Sequence, residues 1–522
     1  MEVAGLEKTR ILLFLLFFGL LLMVYSWYLS YPLTVDSLDG FVFNQVTVLY
    51  WFSLSLTLAS MFLIAVTTKS HYLRWGMAVG LVMIIYSLSY FYYLLPGSDS
   101  NFFRGLNEYF MATQSLDPSQ ATHTYFQWPS FFIITDVTTS ISGLSLANFE
   151  FLIYAIIGFL LASALYIYAA KAFRNNGFIA VAVFFMGLFY YLNYQAAPYS
   201  LAIGLLFLLF NLETRRKTNS LMLTELLLFS VISITHILVP LFFIIYLFVR
   251  FVLNRRGQYG NLLLLTLSTY LLVQITIAIF SFGSYIKAFL NSPSEYSRII
   301  QNTLTTVTVP IDVIAQMFSR GVTIMILILS VAGFIFLLIR KKMRDIDKAI
   351  FLTGALISAL GLVFYYIGSR AFPIAFFSVS LGVSYLFESK LRRYLTCFFL
   401  IILILFTFIP IHSSFISEIQ FQTKETYQTE NFLIDHYNGT KPSYVLAHIR
   451  VVTYLNAKNP NSYYERLSFE TLSKLDRYDI IVYTLGFGQS LLRYNFTAKG
   501  MLQEERLNVV YTSGFSFIAV KS

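Results

Sequence analysis

Residues 151–170 read FLIYAIIGFLLASALYIYAA, an unbroken run without a charged side chain, bounded by Glu150 and Lys171. A helix of about 20 residues crosses the roughly 30 Å hydrocarbon core of a bilayer. Hydrocarbon offers no water to backbone N–H and C=O groups, so a run of this kind is read as an α-helix that satisfies them internally. Twelve further apolar runs take the same reading. They lie near 11–31, 47–66, 77–95, 177–192, 199–212, 221–236, 237–253, 262–282, 322–339, 349–368, 371–387 and 394–412. The first is too long for a secretion signal and lacks a small-residue cleavage site, so it reads as an anchor.

Composition agrees. Of 522 residues, 57% are hydrophobic and 12% charged, against about 25% charged in a soluble globular protein. That leaves too little polar surface for a water-facing body of this size. One cysteine, Cys397, excludes a disulfide framework or a cysteine-based zinc site within the chain. The net charge of +10 is explained by topology rather than by nucleic acid. Twenty lysines and arginines fall in one set of short loops and five in the other, outside the C-terminal tail. The basic side is cytoplasmic. The N-terminus is then cytoplasmic, and thirteen spans leave the C-terminus outside the cell membrane.

The fold class expected is an all-α polytopic membrane protein with a small external α/β domain at its C-terminus. Residues 1–412 form the transmembrane domain and 413–522 the external one. The cytoplasmic loops are too short for a nucleotide-binding domain, and no phosphate-cradling glycine loop or His/Glu zinc pattern occurs. Polar mass lies outside, in 96–150, 283–321 and 413–522. In the first segment, Phe102, Phe103, Leu106, Tyr109, Phe110 and Met111 follow helical spacing. Phe131 to Ile134, Val137 and Ile141 do the same. Both read as helices lying in the membrane interface. Asp99 sits where the first of these begins and reads locally as an N-cap. In the tail, strands are expected at 444–449, 479–484, 507–511 and 515–520, the last two as a hairpin around Ser513-Gly514, with a helix at 469–475. Asn438 and Asn495 begin glycosylation sequons.

These parts together resemble the GT-C superfamily of membrane glycosyltransferases, in particular prokaryotic and archaeal members related to the protein mannosyltransferases. The resemblance rests on GSDSNFF (97–103), TYFQWPSFFIITDVTTSISGLS (124–145), NYQAAPYSLAIGLL (193–206), THILVPL (235–241), and the tail segments LDRYDIIVYTLGF (475–487) and VVYTSGFSFIAV (509–520). It covers most of the chain from about residue 77. The chain departs from the family pattern in placing the long loop after the third span. It has no WWDYG signature, which argues against an oligosaccharyltransferase, and no Asp-x-Asp pair in its outer loops.

The resemblance implies an inverting transfer of sugar from a polyprenyl-phosphate donor, such as a dolichyl phosphate, to a saccharide, lipid or protein acceptor at the outer face. Asp99 is by resemblance the base. The departing phosphate needs a cation, and a guanidinium suits its geometry. Arg370, in YYIGSRAFPIAFF, is the candidate, with snorkelling to headgroups the plain alternative. His236 reads equally as a phosphate or proton-handling group and as a packing residue. His123, Glu108 and Asp136 share the outer loop as candidates for a second acidic or metal-binding role. Tyr194 and Gln195 are placed at the lipid phosphate. No cofactor is certain; a divalent cation, Mg or Mn, stays open. Arg104 reads as an interface anchor, Trp128 as fixing the loop against the membrane, and Glu225 as a shallow carboxylate near the cytoplasmic end. The competing readings are a lipid-linked saccharide flippase or transporter, an outer-face polymerase or ligase of another fold, and a non-catalytic glycolipid-binding scaffold. A coupled transporter would carry ionisable groups at mid-membrane, and the spans hold almost none.

Overall fold

The structure is a computed structural model. It describes residues 2–30, 47–87, 98–116, 125–172, 176–188, 197–215, 218–254, 257–278, 325–326, 328–339, 344–363, 365–387, 395–396, 398, 428–429, 431–433, 436, 444–447, 463–466, 480–483, 507–513 and 516–521. Helices dominate. In chain order they are α1 (Glu2–Ser30), α2 (Val48–Thr67), α3 (His71–Ser87), α4 (Ser98–Thr113), α5 (Ser130–Ser142), α6 (Leu146–Ala172), α7 (Gly177–Leu188), α8 (Pro198–Glu213), α9 (Asn219–Ser233), α10 (Val239–Asn254), α11 (Gly257–Thr276), α12 (Ile328–Ile339), α13 (Asp345–Val363) and α14 (Tyr365–Leu386).

The chain is a membrane protein. Among the described residues four helices are long and apolar enough to cross a bilayer: Thr9–Ser30, Val48–Thr67, Leu146–Ala172 and Gly257–Thr276. Shorter apolar helices accompany them at Pro198–Glu213, Asn219–Ser233, Val239–Asn254 and Ile328–Ile339. Their outward faces are apolar, as at Leu223, Leu227, Leu264 and Leu272. In water such a surface would drive association; in lipid it is already matched. Most of the run at 394–412 lies outside the described residues.

The centre of the bundle is aromatic. Phe377 of α14 lies 4.5 Å from Phe207 of α8 and 4.8 Å from Tyr168 of α6, measured between ring centres. Phe184 of α7 lies 5.5 Å from Phe207. These contacts lock four helices about one point. Elsewhere the helices approach through glycine. Gly333 of α12 faces Gly382 of α14 so closely that a Cβ on either would strike the other helix's backbone, the small-residue contact by which membrane helices associate. Gly382→Ala is therefore expected to cost about 1–3 kcal/mol through forced separation of the two helices, read as a lower unfolding midpoint in detergent.

One sequence expectation needs correction here. α13 ends at Val363 and α14 begins at Tyr365, so Arg370 sits in the second turn of α14 rather than between the spans expected at 349–368 and 371–387. Nothing between 365 and 370 breaks a helix: YYIGS holds no proline and only one glycine. Glu225 lies in the second turn of α9 and is buried within the protein.

In the tail, five strands form one sheet in the order β2-β1-β3-β5-β4: β1 (Tyr444–Ala447), β2 (Tyr463–Arg466), β3 (Ile480–Tyr483), β4 (Leu507–Ser513) and β5 (Ser516–Lys521). β1 pairs parallel with β2 and β3, and β5 runs antiparallel to β3 and β4. The expected hairpin is β4–β5. β2 was not anticipated, because YYER is short and ends in charges. The helix expected at 469–475 lies outside the described residues.

Candidate functional site

The long loop after α3 becomes structure by packing aromatic rings. α4 presents Phe103, whose ring lies 5.1 Å from Tyr125 and 6.0 Å from Phe131. Tyr125 in turn lies 6.3 Å from Trp128. Trp128 is 1% exposed and packs with Ile237 and Ala278. It therefore fills a corner inside the protein and does not anchor the loop in the membrane interface. The Ser130 amide donates to the Ile234 carbonyl at 3.3 Å, tying the start of α5 to the turn after α9. Edge-to-face ring pairs of this kind contribute about 0.5–1.5 kcal/mol each beyond their buried area.

The corner's other wall is THILV (235–239), the turn between α9 and α10. His236 is 3% exposed, and its ring meets Tyr199 of α8 edge-on at 5.4 Å. Its Nδ1 accepts the Leu238 amide at 3.1 Å. The neutral ring then carries its proton on Nε2, a donor suited to a phosphate or hydroxyl oxygen. From α11, the Tyr270 hydroxyl donates to the Ile237 carbonyl at 3.3 Å. One helical turn further along lies Gln274, 1% exposed, with both its carboxamide oxygen and nitrogen lacking a hydrogen-bond partner among the described residues. A further turn on is Ala278, against Trp128. Gln274 thus sits on the α11 face that meets the corner.

An unmatched buried amide costs about 1–3 kcal/mol, and a polar group left in that state calls for an explanation such as a ligand's complementary group. Gln274→Leu is expected to leave thermal stability equal or higher while lowering activity. Loss of both together would mark Gln274 as a packing residue.

Beside the corner, α4 is pinned to α6 by a buried ion pair. Arg104 Nε lies 3.1 and 3.0 Å from the two Glu150 oxygens, and Nη2 lies 2.5 Å from Oε2. The side chains are 2% and 3% exposed. Arg104 is thus not an interface anchor; a carboxylate at the start of α6 captures it. Glu108, half-buried one turn further along α4, is within electrostatic range of Glu150.

The remaining sequence candidates distribute as follows. Asp99 lies in the first turn of α4, one turn before Phe103, where a carboxylate is favoured by the helix dipole. The helix starts at Ser98, so Asp99 lies within it rather than capping it. Asp136 is half-buried on α5. His123, Tyr194 and Gln195 lie outside the described residues, as does the side chain of Arg370. The backbone therefore brings position 99, the 125–129 loop and His236 to one end of the bundle, linked through Phe103, Tyr125 and Trp128. Among the described residues no group of three His, Cys, Asp or Glu is placed to hold a metal ion, and Glu150 is engaged by Arg104.

Sequence reasoning missed Gln274, Glu150, Tyr125 and Tyr199. The polar pair Gln274 and Glu150 carried a signal, since each interrupts or borders an apolar run. The tyrosines carried none, being common throughout the chain.

No family model and no curated protein sequence matches the chain. Among solved structures, it is similar to ArnT from Cupriavidus metallidurans bound to undecaprenyl phosphate, at 11% identity and a TM-score of 0.47 over 86% of this chain and 98% of that one. It is also similar to the Archaeoglobus fulgidus oligosaccharyltransferase tethered to an acceptor peptide with the NVT sequon, at 12% identity and a TM-score of 0.44 over 87% of this chain and 74% of that one. A second structure of that oligosaccharyltransferase, with Zn and sulfate, matches at 14% identity and a TM-score of 0.44 over 85% and 73%. These structure neighbours are GT-C membrane glycosyltransferases. At such identities and TM-scores the likeness carries no argument about what this chain does.

Proposed function

We propose that the protein is an inverting glycosyltransferase that moves a sugar from a polyprenyl-phosphate donor to an acceptor hydroxyl at the outer face of a cell membrane. The observation that carries this reading is the aromatic corner itself. It gathers the start of the long loop, His236 and the unmatched amide of Gln274 at the end of the bundle away from the basic loops. Aromatic faces and buried amide groups suit a sugar, which offers C–H faces and hydroxyl edges. A lipid-borne donor reaches such a corner laterally through the bilayer.

In the reaction the acceptor oxygen bonds to the anomeric carbon, and the bond from that carbon to the phosphate oxygen breaks with its electron pair. The hydroxyl proton passes to Asp99, since a neutral hydroxyl is a poor nucleophile until a base takes its proton. The Nε2–H of His236 donates to phosphate or sugar oxygen, and Gln274 orients a sugar hydroxyl. Arg370 is the further cation proposed for the leaving phosphate, with Tyr194 and Gln195 near the lipid phosphate. His123, Glu108 and Asp136 are proposed as acceptor-side groups.

The test uses purified protein in lipid with a panel of radiolabelled polyprenyl-phosphate sugars. Label passing to water or to an added saccharide, lipid or peptide acceptor is the expected result. Tight donor binding with no turnover across the panel would favour the scaffold or flippase instead.

A further inference from the structure

At the other end of the bundle, among the basic loops, helix ends line an open pocket of about 360 Å³. The end of α8 contributes Glu213, Thr214 and Arg215, α10 contributes Arg250, α11 contributes Tyr259, and the residue before α13 is Arg344. Three guanidinium groups thus line one pocket.

The ordinary explanation of basic residues here is topological: they mark the cytoplasmic side and extend to water or headgroups. Exposed Arg215 fits that explanation. Arg250 does not, because it is 7% exposed and held inward. One of its terminal nitrogens donates to the Tyr259 hydroxyl. Its Nε is buried and has no hydrogen-bond partner among the described residues. A buried, charged N–H without an acceptor is a costly group to keep.

Arg344 is fixed as well. Its Nε and Nη2 donate to the two Asp347 oxygens, each at 2.8 Å, and the Tyr168 hydroxyl donates to Asp347 Oδ1 at 2.5 Å. Burial alone would lower its pKa. The Asp347 bonds and the nearby Tyr168 outweigh that and hold it above its ordinary value, so it stays charged.

The cavity also has acidic walls, and these narrow the ligand. Glu213 accepts the Tyr246 hydroxyl at 3.3 Å, and Asp345 pairs with Lys348 at 3.1 Å. With Arg344 matched by Asp347 and Asp345 by Lys348, Arg215 and Arg250 face Glu213 and leave a modest positive excess. That excess suits a singly charged phosphate better than a dianion. Beside Arg250 on α10, Phe251, Val252 and Leu253 are exposed, an apolar surface on which acyl chains can lie.

We propose that this cavity binds a phosphate group at the membrane's basic face, with Arg250, Arg344 and Arg215 as its donors and a singly charged phosphodiester headgroup as its preferred form. Paired N–H groups of a guanidinium match two phosphate oxygens. The unmet Nε of Arg250 gains its acceptor from the ligand. The site shares no residue with the aromatic corner and does not depend on the transferase reading.

The experiment places the full chain in nanodiscs of phosphatidylcholine with a minority of phosphatidylglycerol. Native mass spectrometry then counts the lipids that stay bound. The wild type is expected to retain phosphatidylglycerol in preference to phosphatidylcholine. Arg250→Gln is expected to lower that preference about tenfold, the effect of one charge-assisted contact. Arg215→Gln alters an exposed side chain that cannot unfold the bundle, and is expected to weaken retention in the same direction. A second arm adds radiolabelled inorganic phosphate to nanodiscs of phosphatidylcholine alone. Phosphate bound there, and lost in both variants, would assign the same site to a soluble phosphate compound. Equal retention of both lipids with no phosphate bound would overturn the proposal, as would retention untouched by either substitution.

Discussion

Replacing Asp99 by Asn should lower turnover about 10²–10⁴-fold, the range lost when a general base is removed from proton transfer. Asparagine keeps the shape of the side chain and its place in the first turn of α4 but cannot accept the acceptor's proton. Donor affinity should hardly change, because the proton moves only in the transition state. The diagnostic pattern is a fall in kcat with donor binding intact, measured by single turnover with labelled donor. Equal turnover in the variant would move the base elsewhere, with Asp136 and Glu108 next.

Arg104→Ala should destabilise the protein by about 3–5 kcal/mol, because it strands a buried carboxylate without its partner. Glu150 is almost wholly shielded from water and carries bonds from two guanidinium nitrogens. Glu150→Ala should cost a comparable amount by stranding the cation. The double substitution Arg104→Met with Glu150→Leu should recover most of either loss, since two apolar side chains of similar volume leave no charge buried. Thermal unfolding in detergent reads all of these, and a double-mutant cycle isolates the coupling. Single variants that melt with the wild type would mean that water reaches the pair. The pair also fixes α4, and hence position 99, against α6. Arg104→Lys, which keeps the charge but loses the two-pronged contact, should therefore reduce activity more than stability.

Much of this architecture is legible in the sequence because membrane helices carry a strong signal. The run at 151–170 becomes Leu146–Ala172, and that at 47–66 becomes Val48–Thr67, with ends shifted by only a few residues. The two loop helices were also readable, from Phe102–Met111 and Phe131–Ile141. On α5 the spacing resolves two faces. Phe131, Phe132, Thr135 and Thr139 turn inward, while Ile133, Val137 and Ile141 stay exposed. Its end is marked by Gly143 at φ +69°, where the Gly143 amide bonds to Thr139 and a side chain would strain the backbone.

The site was harder to read, because its parts come together only through long-range packing. Spacing along the chain cannot show that Arg104 meets Glu150, that Trp128 packs on Ala278, or that Gln274 is sealed from water. Arg104 and Trp128 were assigned to the interface because isolated arginines and tryptophans near a span usually go there; their partners lay 46 and 150 positions away.

Photo-crosslinking shows most directly where the donor binds. A polyprenyl-phosphate sugar carrying a diazirine on its sugar is bound to the full chain in lipid, irradiated, and the adducts mapped by mass spectrometry. Adducts are expected within the 125–129 loop, around Tyr199 and His236–Leu238, and near Gln274, and unlabelled donor should abolish them. Adducts confined to the basic-end cavity around Arg250 and Arg344, or spread over the lipid-facing helices without competition, would contradict a donor site at the aromatic corner.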